Sequence, residues 1–270
     1  MSQFRAWPSR RLFLSSLAAL CAPASPRALA QASAWAQSPQ SRARLIAAGG
    51  LQEGRYLAGV EIQLQPRFMT YWRMPGDGGL APTFRFDGSR NLRKADVLYP
   101  APNRYQIKSE EAFGYRSEVV FPIWVEPINP ALPTALSLTL DYATCEDICI
   151  PAQAQMNCEL RPAGTSTPST ATLQNWLSLV PQPFTGKLSL TRRASKSWHV
   201  GIAVEGLLDL FAEGPEGWYF ETKPTDGGYA LRAVEQPGDA KGPIELRLTI
   251  VTAKAAFETQ ASLDLGERTP

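Results

Sequence analysis

The chain has 270 residues, 44% hydrophobic and 19% charged, with a formal net charge of +2, which is enough apolar material for two small cores. Its basic excess sits at the amino terminus, where Arg5, Arg10, Arg11 and Arg27 occur among the first 30 residues without an acid; the remainder carries −2. A chain so close to neutral, with no Lys/Arg-rich run, gives no electrostatic footing for nucleic acid.

The first element reads as an address. Ser9-Arg10-Arg11-Leu12-Phe13-Leu14 is a twin-arginine pattern followed by an apolar run from Leu12 to Ala22, shorter than the ~20 residues of a spanning helix. Residues 1–30 are therefore expected to be a signal peptide cut at Ala28-Leu29-Ala30, or as late as Ala34-Trp35-Ala36. Leu20 stands before Cys21 where a lipidation signal wants a small residue, so Cys21 reads as part of the signal. No later stretch has spanning length, so no direct membrane span is expected. The mature protein is expected in the periplasm, and a twin-arginine route would export it folded, with its thiols still reduced.

Strands follow. Val60-Glu61-Ile62-Gln63-Leu64, Leu136-Ser137-Leu138-Thr139-Leu140 and Ile244-Glu245-Leu246-Arg247-Leu248 alternate apolar with polar residues, the period of a half-buried strand. Pro and Gly punctuate them at short intervals, as in sandwiches and barrels. One stretch differs: Leu173, Trp176, Leu177 and Val180 recur at helical spacing behind Thr170 or Thr172 as a cap and stop at Pro181. A Gly/Pro/Ser/Thr run from Pro162 to Thr170 precedes this short helix and marks a boundary. Beyond it, Val200-Gly201-Ile202-Ala203-Val204, Trp218-Tyr219-Phe220 and Tyr229-Ala230-Leu231-Arg232-Ala233 supply a second core face. The expected organisation is all-β: a first β domain over 38–162, a linker with one short helix over 163–184, and a second, smaller β domain over 185–266.

Three cysteines remain after the signal, an odd number for an exported protein. Leu136, Leu138, Leu140 and Tyr142 share one strand face, so Cys145 falls on the other and is expected to point outward. Cys149 shares the polar parity of Gln153, Gln155 and Asn157, whereas Cys158 shares the apolar parity of Ala154 and Met156. A hairpin with Glu146-Asp147-Ile148 at its tip would oppose Cys145 and Cys149, within the ~4.5–5.5 Å Cα separation that a disulfide tolerates. Glu146 and Asp147 raise thiol pKa values rather than lower them, so local charge alone leaves the pair open between a structural bond and a redox-active one. Three sulfurs at this spacing do not make a usual zinc pattern, and His199 is the single histidine, a surface or packing residue; no cofactor is expected. Copper(I) on a thiolate pair stays an open alternative. Phosphate loops, nucleophile elbows, haem-attachment and zinc-protease motifs are absent.

Asp141-Tyr142-Ala143-Thr144-Cys145-Glu146-Asp147-Ile148-Cys149-Ile150-Pro151-Ala152 resembles the active-site hairpin of the amino-terminal domain of the thiol:disulfide interchange protein DsbD. Thr70-Tyr71-Trp72-Arg73-Met74-Pro75-Gly76-Asp77-Gly78-Gly79-Leu80 and Gly114-Tyr115-Arg116-Ser117-Glu118-Val119-Val120-Phe121-Pro122-Ile123 resemble further strands of stand-alone and copper-sensitivity-suppressor relatives of that domain. The resemblance implies an immunoglobulin-like sandwich that carries reducing equivalents, with Cys149 as attacking thiol and Cys145 as resolving thiol. It further implies an aromatic cap loop, for which Tyr105 and Phe113 are candidates. It implies a membrane electron donor of DsbD or CcdA type on another chain, and thioredoxin-fold or other disulfide proteins as acceptors, in the setting of cytochrome c biogenesis or copper tolerance. Its rivals are a non-catalytic binding or scaffold protein with a structural disulfide, and a copper-handling protein. The cysteine spacing is shorter than in the best-known member, Cys158 is extra, and the membrane segments and thioredoxin-like domain are missing from this chain.

Overall fold

The computed structural model describes residues 32–108 and 110–265, so the signal peptide expected over 1–30 lies outside the described residues. In chain order the first strands are β1 (Ala36–Gln37), β2 (Ser41–Ala47), β3 (Tyr56–Leu64), β4 (Met69–Gly76), β5 (Thr83–Arg85) and β6 (Leu92–Val97). They are followed by β7 (Asn103–Ile107), β8 (Glu110–Arg116), β9 (Glu118–Pro127), β10 (Thr134–Cys145) and β11 (Cys149–Leu160). One sheet runs β1-β2-β3-β9-β6 and the other β11-β10-β4-β8-β7, with β5 paired to β10. The period-two pattern is what lets these sheets face each other. Leu136, Leu138, Leu140 and Tyr142 of β10 meet Val60, Ile62, Phe121 and Ile123 in a shared core while the intervening β10 residues through Asp141 face outward. A hydrogen bond of 2.7 Å between the Ser41 and Tyr142 hydroxyls satisfies two polar groups inside it.

β3 and β9 are buried on both faces, because α1 (Thr170–Ser178) lies across their outer side. Leu173, fully buried, packs there against Ile46, Leu57 and Val120, and Gly59 leaves the space its side chain enters. The helix starts at Thr170 rather than later, and no side chain caps it: Thr170 and Thr167 instead donate their hydroxyls to the carbonyls of Ala48 and Ala47, at 2.8 and 2.6 Å. Each hydroxyl also accepts a local N–H, Thr167 from Ser169 at 3.1 Å and Thr170 from Thr167 at 2.9 Å, so the same two side chains order the turn before the helix and dock it onto the end of β2.

The second sandwich is built from β12 (Gln182–Pro183), β13 (Leu188–Ala194), β14 (Ser197–Ile202), β15 (Leu207–Glu213), β16 (Tyr219–Thr225), β17 (Gly228–Glu235), β18 (Ile244–Thr252) and β19 (Ala256–Leu263). Its sheets run β12-β19-β18-β15 and β13-β14-β17-β16. Val200, Ile202, Phe220, Tyr229 and Leu231 fill its core as their alternation requires, with Val204 and Trp218 at the margin. Both sandwiches are antiparallel except for the two-residue β12, which joins β19 in parallel.

The two sandwiches are joined by packing and by charge. Phe211 of β15 leaves its own core and stands against Trp72 and Phe113, at ring separations of 5.6 and 5.0 Å. Arg73 of β4 pairs with Glu213 and Glu258, and Arg104 of β7 with Asp209. Burial opposes the charge of both guanidiniums, but the carboxylates outweigh it and hold each further toward the protonated form.

Candidate functional site

β10 and β11 pair without a slip from Thr134 opposite Leu160 to Cys145 opposite Cys149. This unbroken register carries the parity of the core to the hairpin tip, where Glu146, Asp147 and Ile148 make the turn. Cys145 and Cys149 form a disulfide with Cα atoms 4.2 Å apart. The geometry follows from direct opposition across a ladder, where side chains leave both strands on the same face.

The two sulfurs have unequal surroundings. Cys149 is exposed, whereas Cys145 is 1% exposed. The expectation of an outward-pointing Cys145 is thus corrected in one respect: it does point away from the main core, but Met69, Tyr71, Ala112 and Ala143 form a second apolar cluster over it. Parity along one strand fixes the face on which a residue lies; it does not reveal whether β4 and β8 bring side chains to that face.

Tyr71 is the principal contact. Its hydroxyl donates to Cys145 Sγ at 2.9 Å and lies 3.0 Å from Cys149 Sγ. Burial, with a smaller contribution from the Glu110 charge, raises the Tyr71 phenol above its ordinary range, which keeps it protonated and a donor at neutral pH. Two glycines permit this placement. A Cβ on Gly114 would stand 2.0 Å from the Thr70 carbonyl oxygen, and one on Gly79 would stand 2.4 Å from the Tyr71 ring. The loop after β4 therefore crosses directly over Tyr71. Together with the β7–β8 turn it walls a cleft of about 260 Å³ that contains both cysteines.

The charge around the cleft is mixed rather than only acidic. Arg67 pairs with Glu146, and Lys108 donates to the Asp147 carbonyl oxygen at 3.2 Å. Ile148 at the tip is 74% exposed.

The candidate cap residues separate. Tyr105, opposite Ala112 across β7–β8, packs into the cluster around Cys145 with the Arg116 guanidinium 4.5 Å over its ring. Phe113 does not approach the sulfurs: one residue beyond Ala112, it faces the opposite side and packs against Phe211. The residue missed by sequence reading is Tyr71, although it stands inside the Thr70 to Leu80 block. The usable signal was its adjacency to Trp72: of two neighbouring aromatics in a strand, one must face away from the core, and Trp72 is the one in the core.

Cys158 stands apart, nine residues along β11, buried opposite Leu136 with its thiol free. Burial first, and Glu159 second, push that thiol up to about 11. His199 lies on β14, half-buried between Thr191 and Ala230 of the neighbouring strands. Among the described residues no three His, Cys, Asp or Glu side chains are grouped to hold a metal ion, and no helix is long and apolar enough to cross a membrane.

Residues 38–159 match the family model described as thiol:disulfide interchange protein DsbD, N-terminal. Among solved structures, the N-terminal periplasmic domain of ScsB from Proteus mirabilis is similar in fold, with a TM-score of 0.68 and 20% identity over 88% of this chain and 100% of that one. No curated protein matches the chain in sequence.

Proposed function

Residues 38–159 belong to the family of the DsbD amino-terminal domain, and from that premise we propose that the chain is a periplasmic thiol:disulfide interchange protein working through Cys149 and Cys145. In this reading 38–162 is the exchange domain, 163–184 the linker and 185–266 a second β domain, the mature protein being exported behind the residue 1–30 signal.

The observation that carries the reading is the asymmetry of the sulfurs: Cys149 is open to a partner while Cys145 is covered and hydrogen-bonded by Tyr71. A donor thiolate attacks Cys149 Sγ in line with the disulfide, a mixed disulfide forms, and the Cys145–Cys149 bond breaks with its electron pair on Cys145. Tyr71 donates to the thiolate so produced, a charge-assisted bond that favours it as leaving group. The donor's second thiolate then attacks the mixed disulfide and releases Cys149. The donor leaves as a disulfide, and two protons end on the two cysteines of this chain. Passing electrons onward reverses the roles: Cys149 attacks the acceptor disulfide and Cys145 resolves the intermediate. The donor is a membrane protein of DsbD or CcdA type on another chain, and the acceptors are periplasmic proteins with thioredoxin-fold or other disulfides.

A structural role explains the bond less well. It closes only three intervening residues at the end of a ladder that β10 and β11 already hold in register, so it removes little freedom from the unfolded chain. Thiol trapping in cells tests the proposal. The pair should be found partly reduced, in a proportion that falls when the membrane donor is deleted; a pair that stays oxidised and resists mild reductant would overturn it.

A further inference from the structure

The loop that crosses Tyr71 is held from the second sandwich. Asp77 and Glu111 exchange two hydrogen bonds, the Asp77 N–H to the Glu111 carbonyl oxygen and the Glu111 N–H to Asp77 Oδ2, both at 3.0 Å. Gly76, at φ +94°, brings the loop so close that a Cβ there would stand 2.3 Å from the Glu111 carbonyl oxygen. Glu111 is fixed in turn by Arg104, whose Nη1 donates to its Oε2 at 2.7 Å. The other nitrogens of Arg104 reach across the junction, to both carboxylate oxygens of Asp209 at 2.9 and 3.0 Å, to the Leu210 carbonyl oxygen at 3.0 Å and to Thr222 Oγ1 at 2.8 Å. A second connection runs alongside: Tyr219 of β16 lines a cavity of about 370 Å³ together with Asp77 and Glu111. The contacts thus run without a gap from β15 and β16 through Arg104, Glu111 and Asp77 to Gly78 and Gly79, and from Gly79 onto the Tyr71 ring.

We propose that the second sandwich is a clamp that sets the reactivity of the Cys145–Cys149 disulfide, with Arg104, Glu111 and Asp77 as positioning residues that hold Tyr71 against the sulfurs. This rests on the exchange reading above and assigns the second sandwich a task in it. The physical basis is preorganisation. Tyr71 stabilises the Cys145 thiolate only while its ring is kept in place, and the loop over the ring is fastened by bonds whose far ends are on another β-sandwich. Arg104 suits this bridging role because its planar fork serves two carboxylates and a hydroxyl at once.

The test measures reduction of the disulfide by dithiothreitol in the full chain, with Asp209→Asn and Glu111→Gln compared with Tyr71→Phe. Each clamp variant is expected to slow reduction by roughly threefold, less than the roughly tenfold of Tyr71→Phe, as suits loosening rather than losing one hydrogen bond to a charged sulfur. In the Tyr71→Phe background neither clamp variant should slow it further, since they act through the same hydroxyl. Glu245→Gln, on the outer face of β18, should match the wild type. Glu111→Gln keeps both backbone bonds to Asp77, so the test survives if Asp209→Asn fails to fold. Slowing that persists undiminished in the Tyr71→Phe background, or clamp variants as fast as wild type, would overturn the clamp. A wild-type disulfide that dithiothreitol does not reduce under native conditions would instead overturn the exchange reading beneath it.

Discussion

The β10–β11 hairpin carries cysteines at both ends of one strand, and their fates are opposite. At its tip Cys149 is exposed and bonded to Cys145 under a tyrosine hydroxyl; at its base Cys158 faces the main core with its thiol pushed up to about 11. The residue type is the same and the strand is the same. Parity and covering make the difference: Cys149 has odd parity with the polar face and ends the ladder, and Cys158 has even parity and sits opposite Leu136 between two sheets. Reactivity of a thiol therefore depends on where the pleat points it and on what neighbouring strands bring to that face.

The comparison is broken most severely by exchanging the two ends' roles. Cys149→Ser should abolish thiol:disulfide exchange, while Cys158→Ser should leave its rate within about twofold of wild type, as followed by reduction of a disulfide-containing substrate protein. Loss of exchange in both variants would mean that Cys158 is part of the chemistry. Next in size, Tyr71→Phe should slow reduction of the Cys145–Cys149 bond by roughly tenfold while leaving the thermal midpoint nearly unchanged. An unchanged rate would show that the hydroxyl contributes nothing to the leaving sulfur.

Smaller effects belong to the base. Cys158→Ala should cost about 1 kcal/mol in urea unfolding, the scale of removing one buried heavy atom from a packed core. It should also alter the alkaline limb of stability. The folded thiol titrates at about 11 against a reference of 9.0, so its neutral form is favoured by the fold. Stability is full below about pH 9 and falls as pH rises through about 11, because the unfolded chain ionises first. Stability curves of wild type and Cys158→Ala should therefore converge over that window; curves that stay parallel through it would place Cys158 in a more solvated setting.

What the sequence made legible was what local pattern controls. The alternation of Leu136, Leu138, Leu140 and Tyr142 specifies the register, and the register alone sets Cys145 against Cys149 and sends Cys158 inward. The second core could be read in the same way from Val200, Phe220 and Leu231. What could not be read comes from strands remote in sequence. Tyr71 reaches Cys145 across 74 residues, and Arg67 and Lys108 supply the cations that the Glu146-Asp147 turn itself lacks. Tyr105 and Phe113 show the same limit: both stand near the cleft in sequence order, and only the pairing of Tyr105 with Ala112 determines which of them faces the sulfurs.

The most direct test of the unequal sulfurs is to find which one accepts a partner. Incubating Cys145→Ser and Cys149→Ser separately with oxidised glutathione, then weighing intact protein and peptides, reads this without any assumption about the natural partner. The expected result is a rapid glutathione adduct on Cys149 in the Cys145→Ser protein, with little on Cys145 in the Cys149→Ser protein. Equal labelling of the two, or faster labelling of Cys145, would contradict an exchange that begins at Cys149.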